Sequence, residues 1–512
     1  MVLENQGQKK SSVSDHSRRG FLKGLLAGSL GTAVSRPDRA LSRGRSSSYD
    51  FRGIREAILA AVDSHKATGI AVAVAHHGRI IWEQGFGFAD RRAGTNVSER
   101  TPFCLASITK PFTTTALMTL VAARKISLDD SANKYLGPKA GLKGNAEGAT
   151  IRLLGAHAAG LPSMFEMFPV GQRQPSSTAL LENYGTLVYP PNELYEYSNI
   201  GFEALGRIGS NVIGLAFSEL LTTQVLKPLG LHDSFFDTDK ARLANGALLY
   251  DELERPIPEY FTATPPSGEL YVSAHDLTRF AMFNLKNHLP DQARILDDRL
   301  LDEIHKPVFR GANRAATTFG WFSGETKSGL PVIFKEGGQP GVSTIMYMVP
   351  EENLACVALA NRSDNGEFVQ KLVDEMAGAI IPNWTTPNTS VGLPTVDLPE
   401  KSVYSGKWSG QLHGGGAEMA VSLDFTPTGS AALLLGNKTP EIVTSLGLQG
   451  NALIGKSVGT IESADAIRNH TTSLSIKVQR RGDKMAGRVL ASATAPGELA
   501  VLPFVVELRR SQ

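Results

Sequence analysis

Strand and helix patterns are distributed unevenly along this chain, and their order constrains the fold more than any other feature. Gly69 to Gly87 alternates apolar and polar residues around His76-His77-Gly78, which predicts a β-hairpin. A helical middle follows. Ser107 to Arg124 has an apolar body of Leu117, Met118, Leu120 and Val121, and Gly201–Ile213, Phe217–Leu226 and Ser273–Leu285 carry the same periodicity. Val332–Phe334, Thr344–Val349 and Leu354–Leu359 then predict strands. Helices enclosed by early and late strands require a sheet assembled from both ends of the domain, an α/β (α+β) arrangement.

The texture changes after residue 382. A Thr/Pro-rich stretch, residues 383–400, reads as a linker. Beyond it Tyr404–Leu412, Met419–Phe425, Ala431–Leu435, Ser473–Arg480, Ala486–Ala493 and Ala500–Leu508 are short strand-like runs. Turn signals such as Thr428-Gly429 and Gly482-Asp483 separate them, so residues 401–512 are expected to form an all-β barrel or sandwich. A chain ending near Pro394 is expected to stay folded without this domain.

Residues 1–45 do not read as fold. Ser17-Arg18-Arg19-Gly20-Phe21-Leu22-Lys23 precedes an apolar run from Gly24 to Val34 that is too short to span a bilayer as a helix. These flanks fit a twin-arginine export signal, so a periplasmic or extracellular location is expected. Small residues near Ala33 and Ala40 offer cleavage sites, and an uncleaved anchor stays open. Residues 46–382 form the expected catalytic domain. The 512 residues are 42% hydrophobic with a formal net charge of +2, which leaves no basic field for nucleic acid. Two cysteines, Cys104 and Cys356, make neither a disulfide framework nor a metal site. Cys104 is either a nucleophile or a buried thiol beneath the site.

Three motifs carry the chemistry. Ser107-Ile108-Thr109-Lys110 opens the first long helix, Tyr197-Ser198-Asn199 precedes a later one, and Lys335-Glu336-Gly337 lies on a late strand. Residues three apart share a helix face, so Lys110 can reach the Ser107 hydroxyl. A serine becomes a useful nucleophile only when a nearby base takes its proton, and a lysine can be that base only if its pKa is lowered. Tyr197 adds a phenol that can shuttle the proton if cations hold it near phenolate. A second match, Ser131-Ala132-Asn133-Lys134, lacks an apolar helix behind it.

With these motifs in this order, the sequence resembles the class C β-lactamases, D-alanyl-D-alanine carboxypeptidases, D-aminopeptidases and family VIII esterases over roughly Ile70 to Asn361. Thr150-Ile151-Arg152-Leu153-Leu154 with His157-Ala158-Ala159-Gly160-Leu161-Pro162, Pro190 to Gly206, Gly268 to Phe280, and Glu336 to Ser343 extend the likeness. The resemblance implies a two-lobe β-lactamase/transpeptidase-like domain. It implies Ser107 as nucleophile, Lys110 and Tyr197 as the acid/base pair, and the backbone N–H groups of Ser107 and Gly338 as oxyanion hole. It implies that Asn199 orients Lys110 and the substrate amide, that Lys335 holds Tyr197 electrostatically, and that His157 packs behind the motifs. No metal or organic cofactor is implied. The Gly406-Lys407-Trp408 start of the last domain resembles appended lipocalin-like barrels.

One position departs from the pattern. β-Lactamases usually carry Thr or Ser after the third-motif Lys, and its hydroxyl helps bind the substrate carboxylate; here the residue is Glu336. A carboxylate about 4 Å from another costs about 4 kcal/mol at intermediate dielectric, more than a hydroxyl bond contributes. Either Glu336 faces the substrate or it pairs with a basic neighbour. Pro111 is expected to loosen the first helical turn, since it cannot donate to the Ser107 carbonyl. The expected activity is hydrolysis of an ester or a D-amino-acid amide or peptide, with a small-molecule or peptide substrate and no nucleic acid as partner; the barrel either covers the active site or binds a partner. The alternatives are β-lactam hydrolysis and a non-catalytic peptidoglycan-binding or sensor module.

Overall fold

The computed structural model describes residues 49–236, 245–311, 314–398, 403–495 and 498–511, so the twin-arginine segment lies outside the described residues. The span Tyr49–Gln512 forms one compact unit.

A nine-stranded antiparallel sheet organises the catalytic domain. Within it Gly69–His76 is paired with Arg79–Asp90 on one side and with Leu354–Ala360 on the other. Val342–Val349 and Pro331–Gln339 continue the sheet. First and last strands thus meet in the middle, as the order of patterns required. The hairpin turn falls at His77 (φ 48°) and Gly78 (φ 72°), and two consecutive left-handed residues suit a two-residue hairpin loop. Both faces of Gly69–His76 are covered. Ala71, Ala73 and Ala75 join the larger core, while Ile70, Val72 and Val74 pack under helices Arg52–Asp63 and Gly366–Gly378.

The helical middle lies on the face with the larger core. A 3₁₀ turn, Ala106–Ile108, leads into helix Thr109–Ala122, which is buried almost all round. Its threonines satisfy their hydroxyls on nearby carbonyls: Thr113 donates to Pro266 at 2.6 Å, and Thr114 and Thr115 to Pro111 at 3.0 and 2.8 Å. Pro111 does not loosen this helix. It is the third helical residue, inside the first turn, where backbone N–H groups have no partner within the helix anyway.

The C-terminal domain is a closed eight-stranded antiparallel barrel. Strands Gly406–Gly414, Ala417–Phe425, Ala431–Leu435, Glu441–Gln449, Ala452–Val458, Ser473–Arg481, Lys484–Ala495 and Glu498–Arg510 follow in order, and the last pairs with the first. Trp408, Leu412, Leu433, Phe504 and Leu508 fill its interior. The fourth and fifth strands were absent from the sequence expectation. Glu441–Gln449 buries only Val443 and Gly447 and its pairing slips between Thr444 and Gly447, so no alternation is visible; the next strand is short and carries Gly455 within it.

The composition boundary at 383–400 is not a boundary in packing. Asn388 bridges to Glu325 of the central sheet, and Thr395–Asp397 adds a strand to Glu441–Gln449. Phe165–Pro169, from the catalytic domain, pairs with the barrel strand Glu498–Arg510. Beside it the buried Glu166 takes Arg468 and, at 2.9 Å, Asn469.

Candidate active site

The local fold explains how each motif is aimed. Ala106, just before the nucleophile, has φ 46°, a left-handed conformation that an alanine adopts only under constraint. It turns the chain so that Ser107 sits in the middle of the 3₁₀ turn ahead of its helix. The motif Tyr197-Ser198-Asn199 doubles as a helix start. Ser198 caps Asn199–Ile213 by accepting from the Gly201 N–H at 3.1 Å, which leaves Tyr197 immediately outside the helix. Lys335 comes from Pro331–Gln339, whose pairing with Phe322–Glu325 stops at Phe334, so the strand has a free edge from Lys335 onward. At Gly337 an added Cβ would sit 2.0 Å from the Leu105 carbonyl oxygen, so only glycine lets this strand approach the nucleophile turn.

Three side chains converge. The Tyr197 hydroxyl donates to Ser107 Oγ at 2.6 Å, and Lys110 Nζ lies 3.1 Å from the same oxygen. Lys110 also donates to the Ser267 carbonyl at 3.0 Å. Lys335 Nζ stands 5.2 Å from the Tyr197 ring centre and 3.9 Å from that of Phe322. Lys110 stands over the opposite neighbours, 4.8 Å from the Tyr197 ring and 5.3 Å from Phe202. His157 stacks on Tyr197 at 4.2 Å and accepts the Ser198 N–H on Nδ1 at 3.0 Å.

Burial sets the protonation. It drives the Lys110 ammonium well below its usual range, and the nearby Lys335 adds to this. Burial brings Lys335 down to about 7, against the opposing pull of Glu336. This lowering favours the neutral amine form of Lys110, the form able to take the Ser107 proton. The Tyr197 phenol moves the other way. Burial pushes it up, the Ser107 hydrogen bond opposes and Glu336 assists, so the expectation of a near-phenolate tyrosine is corrected. Two lysines over its ring do not suffice, because both have themselves lost much of their affinity for a proton.

The remaining expected residues divide. Gly338 lines the cleft with Ser107, on the free edge of the strand. Asn199 donates to the Met164 carbonyl at 2.7 Å, and its buried Oδ1 has no partner among the described residues; the contact to Lys110 comes instead from Ser267. Sequence reasoning missed Ser267 because a backbone carbonyl leaves no residue signature. Glu336 is exposed, lines the cleft, and makes no ion pair among the described residues. It lies opposite Ile345, on the other face of the strand from Lys335. Cys104 is a buried thiol whose ionisation burial opposes, and it donates to the Gly268 carbonyl at 3.7 Å. Lys134 of the second S-x-x-K match pairs with Asp130 at 3.1 Å on the surface.

The cleft has a volume of about 1220 Å³. Its walls include Asp251, Glu252, Glu336 and Glu367, and the barrel contributes Thr494 and Leu499.

Comparison with known proteins places this geometry. Protein flp of Staphylococcus aureus (strain COL) is 27% identical over 325 residues, 61% of this chain and 63% of flp, so the match spans less than two thirds of that relative. A class C beta-lactamase structure superposes with TM-score 0.55 at 19% identity, covering 65% of this chain and 97% of that one. A structure of SurE with D-Leu gives TM-score 0.61 at 19% identity over 88% of this chain and 99% of its own, so its fold extends across the barrel. Residues 54–379 match the family model Beta-lactamase, and the chain belongs to that family, the serine hydrolases of β-lactamase and penicillin-binding type.

Proposed function

We propose that this protein hydrolyses an uncharged ester or a D-amino-acid amide through an acyl ester on Ser107. The observation that carries this reading is the convergence on Ser107 Oγ of Lys110 Nζ at 3.1 Å and the Tyr197 hydroxyl at 2.6 Å. Neutral Lys110 takes the hydroxyl proton as Oγ bonds to the substrate carbonyl carbon. The carbonyl π electrons move to oxygen, and the Ser107 and Gly338 N–H groups donate hydrogen bonds to the resulting oxyanion. Collapse breaks the bond to the leaving group, which takes its proton from Tyr197, and Lys110 returns a proton to the phenol. Water then repeats the sequence on the acyl ester. A binding module has no use for an activated hydroxyl, so the assembled quartet of Ser107, Lys110, Tyr197 and Lys335 favours an enzyme.

Charge narrows the substrate. Asp251, Glu252, Glu336 and Glu367 line the cleft, and its exposed cation, Arg255, is already paired with Asp251 at 2.6 Å. An acidic wall repels the carboxylate of β-lactams and of D-alanyl-D-alanine peptides and tolerates a neutral ester or a free amine. The D-Leu in the SurE structure supports a D-amino-acyl group in this kind of fold. A panel of a nitrophenyl ester, a D-amino-acid amide, a D-Ala-D-Ala peptide and nitrocefin tests the reading; nitrocefin as the best substrate by kcat/KM would reverse it. We also infer export by the twin-arginine route, from Ser17 to Lys23.

A further inference from the structure

The barrel offers two cations to the segment that carries the proposed proton-transfer tyrosine. Glu196, the residue before Tyr197, is buried; its carboxylate accepts from Lys477 Nζ at 2.8 Å and from Arg488 Nε at 2.6 Å. Lys477 also donates to the Tyr195 carbonyl at 3.3 Å. The two cations come from adjacent barrel strands, where Lys477 and Arg488 sit directly opposite each other. Like charges facing across a ladder repel, and burial makes this worse, so the pair makes physical sense only with an anion between them. Burial opposes ionisation of Glu196, yet Arg488 and Lys477 outweigh it and hold the carboxyl below its usual range.

The same segment is pinned from the catalytic side. The Glu196 N–H donates to the His157 carbonyl and the Ser198 N–H to His157 Nδ1, both at 3.0 Å. The Tyr189 hydroxyl reaches the Lys477 carbonyl at 2.8 Å, and the Arg488 guanidinium is anchored on the Ser475 carbonyl at 3.1 Å. Every residue flanking Tyr197 is therefore held. Among the described residues, the Tyr197 side chain itself hydrogen-bonds to Ser107.

We propose that the barrel is a working part of the active site: Lys477 and Arg488 clamp Glu196 and thereby fix Tyr197 against Ser107. Glu196, Lys477 and Arg488 are positioning residues, and the inference rests on the reading of Tyr197 as a proton carrier. A misplacement of about 1 Å in a catalytic group costs on the order of 100-fold in rate. The test uses the full chain with Glu196→Gln and with Arg488→Lys, which keeps the buried charge and loses the guanidinium fork. Acylation of Ser107 by a fluorophosphonate is followed by intact mass, and kcat and KM are measured on a neutral ester. Variants with unchanged melting should acylate about 10–100-fold more slowly, with kcat reduced and KM little changed. In a Tyr197→Phe background the same substitutions should change nothing further, because they act through the phenol. Full-rate acylation by folded Arg488→Lys would overturn the clamp, as would an equal loss with and without the Tyr197 hydroxyl. Should Glu196→Gln fail to fold, Arg488→Lys alone decides. A wild type that is never labelled at Ser107 would remove the hydrolase reading and this one together, an outcome distinct from loss of the clamp alone.

Discussion

Replacing Lys335 with methionine should stabilise this protein while impairing it. Lys335 is 1% exposed, and its Nζ faces the aromatic rings of Phe322 and Tyr197, with no ion-pair partner among the described residues. Burial lowers its ammonium from 10.5 to about 7, which corresponds to about 5 kcal/mol against folding with the lysine charged. The pH dependence follows from that direction. Below about pH 7 both the folded and the unfolded chain hold the proton, and the full cost applies. Between about 7 and 10.5 the folded lysine is neutral while the unfolded one still binds a proton, so the cost shrinks as pH rises. Methionine has similar length and no charge. Lys335→Met should therefore gain up to about 5 kcal/mol at pH 6 and progressively less towards pH 10. The cation–π contacts with Phe322 and Tyr197 reduce the gain by about 1–2 kcal/mol. Urea unfolding of both proteins at pH 6 and pH 9.5 measures the difference, and ester turnover measures the functional loss. A variant less stable than wild type at pH 6, or a gain that stays constant with pH, would refute the argument.

Other outcomes follow from the same geometry. Glu336→Thr should raise turnover of carboxylated β-lactams relative to neutral esters; an unchanged ratio would exclude Glu336 from substrate choice. Because the nucleophile needs neutral Lys110, acylation of Ser107 should slow on acidification, and Lys110→Met should lose about 10²–10⁴-fold and flatten that pH profile. Exchange of Arg18 and Arg19 for lysine should block export; cell fractionation with unchanged distribution would contradict the twin-arginine assignment.

Legibility in the sequence depended on what kind of group does the work. Side chains with a fixed spacing could be found: Ser107 and Lys110 share a helix face, and Tyr197-Ser198-Asn199 announces both a phenol and a helix cap. The central sheet was legible because strands such as Val342–Val349 and Leu354–Ala360 are apolar runs, buried on both faces, and the hairpin because His77-Gly78 is a turn. Contacts made by the backbone were not legible. The Ser267 carbonyl that holds Lys110 and the left-handed Ala106 depend on tertiary approach, not residue type. The condition for a near-phenolate Tyr197 could not be judged from the motifs, because proximity to two lysines is visible there whereas the burial that lowers their proton affinity and raises that of the phenol is not. The strand Glu441–Gln449 escaped detection because it buries only two of its residues and is bulged. Composition marked a boundary at 383–400, but Glu196, Lys477 and Arg488 join the two sides of it through long-range contacts that no local pattern encodes.

The central claim is that Ser107, activated by Lys110 and Tyr197, becomes acylated. Intact-mass spectrometry after exposure to a fluorophosphonate tests it on wild type, Ser107→Ala, Ser131→Ala and Cys104→Ala. One adduct on wild type and on the Ser131 and Cys104 variants, and none on Ser107→Ala, is the predicted result. Labelling that survives Ser107→Ala, or that disappears with Ser131→Ala or Cys104→Ala while Ser107 is present, would contradict it.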